Sequence, residues 1–316
     1  LVIENCKFLN GGYYVGTSIA NKNQIDFSFI YSEWDSTIVK NNIIQQQNID
    51  IALGNYTGGI EFHGNNSSAS NNVIDGCWPG IYITSSKNGG LKDVLIQRNN
   101  ITNCITGVSF WLSQPMTDVI IDHNNIAITF SRAAKNKLCT GIMIPNGNAK
   151  EYSTKLANAA TVKNLRITNN SISAGPLATL SAGMILHSLQ NSYILNNTIT
   201  GMNYSGIIFT GSKWGMNSVD IKNNRFEDFK PNYDNKTATG YIVITDTYSG
   251  DNEAAPGFKK IIFNNNKFLN KRVADSLKSK FRGAFIEVPS KSLQEIKFKG
   301  NDYKGISEKF YIRKTN

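Results

Sequence analysis

The chain has 316 residues, a formal net charge of +10 and a pI near 9.3, which together predict attraction to polyanions. No apolar run approaches the roughly 20 residues needed to span a bilayer, so no membrane insertion is expected. The Lys and Arg residues are scattered through turns rather than gathered in one patch with aromatic residues. Nucleic acid is therefore not an expected partner, whereas acidic polysaccharides and teichoic acids are.

The N-terminal residue, Leu1, is not an initiator Met, and it leads directly into an apolar alternation without the features of a signal peptide. Elongated all-β repeat folds commonly reach this length with one continuous core. We therefore expect residues 1–316 to form a single domain that belongs to a longer chain.

A short motif recurs along the chain: an apolar residue, one or two polar residues, a pair of Asn residues and another apolar residue. Most copies are about 25 to 30 residues apart, which indicates a solenoid. Two intervals are longer, from Asn124 to Asn169 and from Asn223 to Asn265. The copies contain the pairs Asn41-Asn42, Asn71-Asn72, Asn99-Asn100, Asn124-Asn125, Asn169-Asn170, Asn196-Asn197, Asn223-Asn224 and Asn265-Asn266.

Most Asn pairs are followed by a Gly and an alternating apolar segment, so each repeat holds two or three short strands. Asn tolerates the left-handed backbone of a turn, and stacked Asn amides can hydrogen-bond along the axis. Helical periodicity is limited to residues 273–281. The Gly-apolar segments begin at Gly59, Gly80, Gly107, Gly141, Gly183, Gly206 and Gly240.

These repeats resemble the right-handed parallel β-helix of the pectin-lyase-like superfamily, which includes polysaccharide lyases, glycosidases, uronate epimerases and phage tailspikes. The resemblance covers nearly the whole chain and implies an all-β solenoid of about ten coils. It selects no single activity, because the superfamily shares an architecture and not one catalytic set.

In that superfamily, the Gly-apolar strand corresponds to the sheet whose outer face forms the floor of a sugar groove. The extra residues of this sequence flank the same strands, and insertions on one face of a solenoid commonly mark its binding side. These loop insertions are residues 131–140, 146–161, 230–239 and 247–257.

Alternation along the Gly-apolar strands predicts which side chains point outward. If Ile60 and Phe62 point inward, Glu61 and His63 point outward, with Tyr82 in the next coil. These three residues are candidate catalytic groups, because carboxylate, imidazole and phenol can transfer protons. Trp111, one coil further on, is a candidate platform for a sugar ring. The alternative is that such residues are solvated surface residues of the solenoid.

A second candidate cluster joins His187 with Lys213 and Asp246 as catalytic groups. Four strand spacings separate His63 from His187, about 19 Å, so the two clusters cannot act on one bond. A basic loop and a further Trp are candidate substrate contacts for this cluster: Arg132, Lys135, Lys137 and Trp214.

The segment from Asp118 to Asn125 resembles the Val-Trp-Ile-Asp-His segment of calcium-dependent pectate lyases. The other parts of that motif are missing, and Asp122-His123 falls on an ordinary turn of the repeat. The sequence therefore predicts no metal site and no cofactor; Ca²⁺ is not supported by a complete motif.

Four cysteines, Cys6, Cys77, Cys104 and Cys139, lack metal-ligand spacing and are expected to be buried thiols. Cys77 and Cys104 occupy equivalent positions of neighbouring repeats and should stack as free thiols.

The functional hypothesis is a polysaccharide-recognising and polysaccharide-degrading protein, a lyase or a glycoside hydrolase, at an extracellular or virion surface. Its substrate would be an acidic bacterial surface glycan or a uronate-containing glycan. Hydrolysis requires paired carboxylates, and outward acids are sparse on the presumed face, which disfavours hydrolysis unless loop acids converge there. The alternative is a non-catalytic adhesin or phage receptor-binding shaft, and a homotrimer would favour this tailspike interpretation. The loop acids are Glu33, Asp35, Asp246, Asp251 and Glu253.

Overall fold

The computed structural model describes residues 1–11, 28–47, 57–85, 89–129, 138–144, 161–175, 178, 180–211, 215–229, 240–245, 257–270, 282–306 and 308–315. These residues form a right-handed parallel β-helix, as the sequence predicted. In each coil, the chain passes in turn through three parallel sheets and returns above its starting point.

The strands are numbered in chain order. The first sheet contains β1 (Val2–Glu4), β4 (Ile38–Lys40), β7 (Ser68–Ser70), β10 (Leu91–Gln97), β13 (Met116–Asp122), β16 (Val162–Lys163), β17 (Arg166–Thr168), β20 (Leu189–Leu195), β23 (Met216–Lys222), β26 (Phe258–Asn264) and β29 (Ile296–Lys299). The second sheet contains β2 (Lys7–Leu9), β5 (Ile43–Gln45), β8 (Val73–Asp75), β11 (Asn100–Cys104), β14 (Asn125–Ile128), β18 (Ser171–Ala174), β21 (Thr198–Thr200), β24 (Arg225–Glu227), β27 (Lys267–Leu269) and β30 (Asp302–Lys304).

The third sheet contains β3 (Ser28–Ser32), β6 (Gly58–Phe62), β9 (Ile81–Thr84), β12 (Thr106–Trp111), β15 (Cys139–Met143), β19 (Ser181–Leu186), β22 (Ser205–Thr210), β25 (Gly240–Thr245), β28 (Arg282–Pro289) and β31 (Glu308–Thr315). One short helix, α1 (Ser290–Leu293), is described. The predicted helix at residues 273–281 lies outside the described residues.

Inward side chains of all three sheets stack into one apolar core. On the third sheet, Ile60, Phe62, Ile81 and Ile83 are fully buried, as the alternation predicted. Burying such a side chain contributes roughly 1.5–3 kcal/mol, so the repeated stacks stabilise the coil along its length.

The turn between the first and second sheets holds a continuous ladder of buried Asn amides. Asn99, for example, donates both its backbone N–H and its side-chain amide to Asn124 Oδ1, each at 3.0 Å. In each turn, the residue before the ladder Asn has a left-handed backbone. The ladder runs through Asn42, Asn72, Asn99, Asn124, Asn170, Asn197, Asn224, Asn266 and Asn301.

The predicted alignment of the Asn pairs is wrong by one residue in two coils. The left-handed positions there are Arg98 and His123, both with φ of 53°, and the first Asn of each pair belongs to the ladder instead. The sequence motif does not reveal this shift, because either Asn of a consecutive pair could be the residue that enters the ladder.

Most strands of the third sheet carry a Gly at or near their start, where they approach the second sheet closely. A Cβ on Gly80 would lie 2.6 Å from Ile101 Cγ2 and 2.8 Å from the Gly107 carbonyl oxygen. In β3 the equivalent position is Phe29 and in β31 it is Lys309, so these two strands lack the Gly.

The cysteines are free thiols among the described residues, and Cys77, Cys104 and Cys139 are buried as predicted. The register places Cys77 beside Cys104 in adjacent coils. For Cys6 the prediction of burial is wrong: Cys6 is exposed, because it lies in the first coil, where the described residues cover it from one side only.

Candidate functional site

The outer face of the third sheet carries two columns of side chains along the axis of the coil. They are set by the in-register pairing of successive strands, and the alternation of the sequence correctly placed Glu61, His63, Tyr82 and Trp111 in them. The first column contains Tyr31, Glu61, Tyr82, Ser109, Met143, Ile185, Ile208, Val243, Phe285 and Tyr311. The second contains Glu33, His63, Thr84, Trp111, His187, Thr210, Thr245, Glu287 and Arg313.

Glu61 and His63 form a direct contact on this face. His63 Nε2 lies 2.9 Å from Glu61 Oε1, and with the proton on Nε2 the imidazole donates to the carboxylate. The Ser28 hydroxyl donates to Glu61 Oε2 at 2.9 Å, and Thr84 Oγ1 lies 3.5 Å from Oε1. The carboxylate is thus held from three strands, and it orients the imidazole.

Tyr31 and Glu33 complete this cluster from the preceding coil. The Tyr31 ring packs against the His63 imidazole, with ring centroids 4.8 Å apart. Its hydroxyl donates to Glu33 Oε1 at 2.7 Å. Glu33, one of the acids predicted as a hydrolytic partner, therefore lies beside the Glu61–His63 pair. Asp35, another of the predicted acids, accepts the Asn65 backbone N–H through its Oδ1 at 2.8 Å instead.

The expectation that outward Glu and His residues are solvated is wrong for Glu61 and His63, whereas Glu33 is exposed. Glu61 is 3% exposed and His63 is 6% exposed. Strand alternation gives only the direction of a side chain, and the burial comes from neighbouring coils such as the one that carries Tyr31.

Tyr82 and Trp111 lie on the same face at the predicted places. Tyr82 is the neighbour of Glu61 in the first column and is half-buried. Trp111 is half-buried and pairs with Thr84, so one residue of the second column separates it from His63. The candidate platform is therefore two strand spacings, about 10 Å, from the imidazole.

His187 is buried instead of solvated, at 6% exposure. The Thr210 hydroxyl lies 2.5 Å from its Nδ1 and 2.7 Å from its Nε2. Burial lowers the pKa of His187 to about 4, so the imidazole is neutral at pH 7. The other members predicted for this cluster, Lys213 and Asp246, lie outside the described residues, as do Arg132, Lys135, Lys137 and Trp214.

The first column changes character along the axis. From Tyr31 to Ser109 it is polar or aromatic, whereas from Met143 onward its members are apolar except for the hydroxyl of Tyr311. Ile208, at 7% exposure, belongs to a small apolar cluster outside the main core, together with Val243 and Phe285. The polar surface therefore lies in the first four coils of the third sheet.

The charge of these four coils differs from the charge of the whole chain. Their outward positions in the two columns contain two carboxylates, Glu33 and Glu61, and no Lys or Arg. Exposed bases occur on the first sheet instead, for example Lys222, Lys297 and Lys299.

Asp122 and His123 lie on a turn at the other side of the coil. Burial opposes ionisation of Asp122, but hydrogen bonds from Thr168, His123 and Asn169 outweigh it and lower its pKa. Among the described residues, no group of three or more His, Cys, Asp or Glu side chains could hold a metal ion. Within the same ranges, no helix is long and apolar enough to cross a membrane.

Sequence reasoning missed Ser28, Tyr31 and Trp34, all in or directly after β3. The missing Gly at Phe29 kept this strand out of the Gly-apolar series. The alternation of Phe29, Ile30, Tyr31 and Ser32 was the signal that could have identified it.

The fold and this cluster define a right-handed parallel β-helix protein with a buried Glu–His pair on the outer face of one sheet, next to an exposed Tyr and an exposed Glu. No protein-family model matches the sequence, and no curated protein matches it.

Several solved structures are similar. One is the catalytic unit of a thermostable GH87 α-1,3-glucanase from Streptomyces thermodiastaticus strain HF3-3, with a TM-score of 0.46 and 15% identity, covering 89% of this chain and 51% of that one. Another is the Streptococcus pneumoniae surface protein and adhesin PfbA, with a TM-score of 0.41 and 13% identity, covering 99% and 91%. A third is the Azotobacter vinelandii mannuronan C-5 epimerase AlgE4 A-module, with a TM-score of 0.31 and 9% identity, covering 89% and 84%. The chain thus spans about half the length of the glucanase unit.

Proposed function

We propose that the outer face of the third sheet binds an extracellular polysaccharide in its first four coils and that Glu33, Glu61 and His63 hydrolyse it. The observation that carries this proposal is the buried Glu61–His63 contact. Removing a carboxylate and an imidazole from water costs free energy even when they are paired. On the outer face of a strand, solvated side chains would avoid that cost, so enclosure of the pair supports a chemical role.

Hydrolysis of a glycosidic bond uses two carboxyl groups roughly 5 to 9.5 Å apart. Glu33 and Glu61 occupy diagonal positions in adjacent coils, whose Cα atoms are about 8 Å apart at ordinary strand geometry. One carboxyl group protonates the leaving oxygen as its bond to the anomeric carbon breaks. Water adds to that carbon and returns a proton to the other carboxylate, and His63 can exchange protons with Glu61 across their contact.

Elimination is the second candidate reaction, and the net positive charge of +10 favours the acidic substrate that it needs. A lyase acting on a uronate would place a cation beside the substrate carboxylate, with His63 or Tyr82 taking the α-proton. The described columns of the first four coils hold no such cation. The predicted bases Arg132, Lys135 and Lys137 could meet acidic sugars further along a mixed polymer.

The non-catalytic alternative is an adhesin or a receptor-binding shaft. It is favoured by the low exposure of Glu61 and His63, 3% and 6%, because side chains this buried present little surface to a bound polymer. In this case the groove binds glycan without cleaving it, and the trimeric tailspike arrangement at a virion surface belongs to this proposal.

The test is incubation with bacterial capsular polysaccharides, teichoic acids and uronate polymers, followed by size-exclusion chromatography, reducing-end assay and ultraviolet absorbance. Shorter chains with new reducing ends and no unsaturated product support hydrolysis. Unsaturated product supports elimination instead, and binding without shortening supports the adhesin.

Variants connect the activity to the cluster. Glu33→Gln and His63→Gln are each expected to lower kcat by roughly 10²-fold or more, the usual contribution of general acid–base catalysis. His123→Gln is the matched control, because His123 also contacts a carboxylate, that of Asp122 at 2.6 Å, but on an exposed turn. Equal losses in all three variants would contradict the assignment.

A further inference from the structure

Two exposed aromatic side chains flank Glu33 in the sequence: Tyr31 before it and Trp34 directly after it. Trp34 is 73% exposed, the highest value among the exposed large hydrophobic residues that the structure describes, and Tyr31 is 40% exposed. A single exposed aromatic residue is common on a protein surface. Here the two aromatic residues belong to one short segment, and Tyr31 packs directly against the buried His63, which is a more specific arrangement.

The Trp34 backbone is held in place although its ring is in water. Its N–H donates to Ser32 Oγ at 3.2 Å, and its carbonyl oxygen accepts the Thr37 hydroxyl at 2.9 Å. In the next coil, the chain passes so close to that carbonyl that a Cβ at Gly64 would overlap it. A ring presented from a fixed backbone loses little conformational entropy when it binds a ligand.

Glu33, which lies between Tyr31 and Trp34 in the sequence, supplies a polar group from the same segment. It already accepts the Tyr31 hydroxyl at 2.7 Å. A carboxylate has about four acceptor positions, so a sugar hydroxyl can bond to it in addition. Asp35 adds a second carboxylate one residue after Trp34. A ligand at this place therefore meets aromatic faces and acceptors.

We infer that Tyr31, Glu33 and Trp34 form a subsite for an uncharged pyranose, either a neutral hexose or an N-acetylhexosamine. The aromatic faces stack on the C–H face of the ring, and Glu33 accepts a ring hydroxyl. A uronate here would bring its carboxylate next to Glu33 and Asp35, and like charges across an interface oppose binding. This inference rests on the proposed function, because it assigns one sugar of the polymer that the Glu33–Glu61–His63 cluster would cleave.

The experiment measures quenching of tryptophan fluorescence by acrylamide while defined oligosaccharides of one length are added. The probes are neutral glucan oligosaccharides, N-acetylhexosamine oligosaccharides and oligogalacturonate. An uncharged oligosaccharide is expected to protect Trp34 from quenching. The fluorescence of Trp34 is identified as the difference between the wild type and Trp34→Ala. The Kd of the bound oligosaccharide should rise about tenfold in Trp34→Ala, as for the loss of one aromatic contact.

Tyr193→Ala is the matched control, because Tyr193 is also 40% exposed but lies on the first sheet. It is expected to bind like the wild type. Thermal unfolding of Trp34→Ala should match the wild type, since the removed ring is mostly in water.

Three results would overturn the subsite: oligogalacturonate protecting Trp34 better than the uncharged probes, equal affinity in Trp34→Ala and the wild type, or no binding of any probe. Failure of the proposed function gives a different pattern. Cleavage with an unchanged KM in Trp34→Ala rejects the subsite and keeps hydrolysis. Weaker binding in Trp34→Ala, in a protein that cleaves no polymer, rejects hydrolysis and keeps the subsite.

Discussion

The side chain of Asn124 joins two neighbouring coils through the amide of Asn99. Asn124 Oδ1 accepts both the backbone N–H and the side-chain amide of Asn99, and Asn124 Nδ2 donates to the Ile96 carbonyl oxygen at 3.0 Å. It also donates to Asn170 in the following coil. Each ladder Asn thus satisfies buried backbone groups that the turn leaves without strand partners.

Replacement of Asn124 by Ala should therefore destabilise the fold more than an ordinary Asn substitution. It leaves the buried Asn99 N–H and the Ile96 carbonyl without this partner, at about 1–3 kcal/mol for each unsatisfied group. Urea unfolding measures the change. Asn125→Ala is the control, because Asn125 is exposed and its amide bonds only to Asn100 among the contacts described. A similar loss of unfolding free energy in both variants would show that a ladder Asn contributes no more to stability than an exposed Asn.

The ladder also shows how far the sequence predicts this fold. Periodic Asn pairs and alternating apolar residues identify the coil, because they report local turn geometry and strand period. They do not report which Asn of a pair enters the ladder, since both are side by side in Arg98-Asn99-Asn100. That choice depends on stacking against the neighbouring coil.

The reactivity of the four thiols should follow their burial. Burial raises the pKa of Cys104 to about 12 and that of Cys139 to about 11. Both are therefore protonated at pH 8, and the thiolate is the reactive form. Iodoacetamide with native protein should label Cys6, which is exposed, and peptide mass spectrometry reads out the site. Rapid labelling of Cys77 or Cys104 before unfolding would contradict the stacked, buried arrangement.

The buried His187 predicts a dependence of stability on pH. Burial lowers its folded-state pKa to about 4, while the unfolded value is about 6.5. Between these values the unfolded state binds more protons, so stability is complete above pH 6.5 and falls as the pH drops toward 4. The full effect is about 3 kcal/mol, at 1.36 kcal/mol per pKa unit.

The measurement is urea unfolding from pH 7 to pH 4 for the wild type, His187→Asn and His123→Asn. His187→Asn should lose part of the pH dependence, whereas His123→Asn, altered at an exposed turn, should keep it. Parallel curves for all three proteins would show that His187 does not titrate as its burial implies.

The candidate site shows a different limit of sequence reasoning. Alternation placed Glu61, His63 and Tyr82 on one face correctly, because it depends on strand geometry alone. It could not show that Tyr31 covers His63, since that contact joins residues of different coils and β3 lacks the marker Gly. Burial of an outward residue is a property of the assembled coil.

Glu61 gives a prediction that separates a structural role from a chemical one. Glu61→Gln keeps the shape and an acceptor oxygen for Ser28 or His63, so its free energy of unfolding should change by about 1 kcal/mol or less. Glu61→Leu removes the hydrogen-bond partner of the buried His63 and of the half-buried Ser28, and should cost about 1–3 kcal/mol for the buried group. Glu4→Gln, at an exposed ion pair with Lys40, is the control and should cost less than about 1 kcal/mol. If Glu61 takes part in hydrolysis, Glu61→Gln should lose activity while it remains folded. A Glu61→Gln protein with full stability and full cleavage would assign Glu61 to packing alone and leave Glu33 without its carboxylate partner.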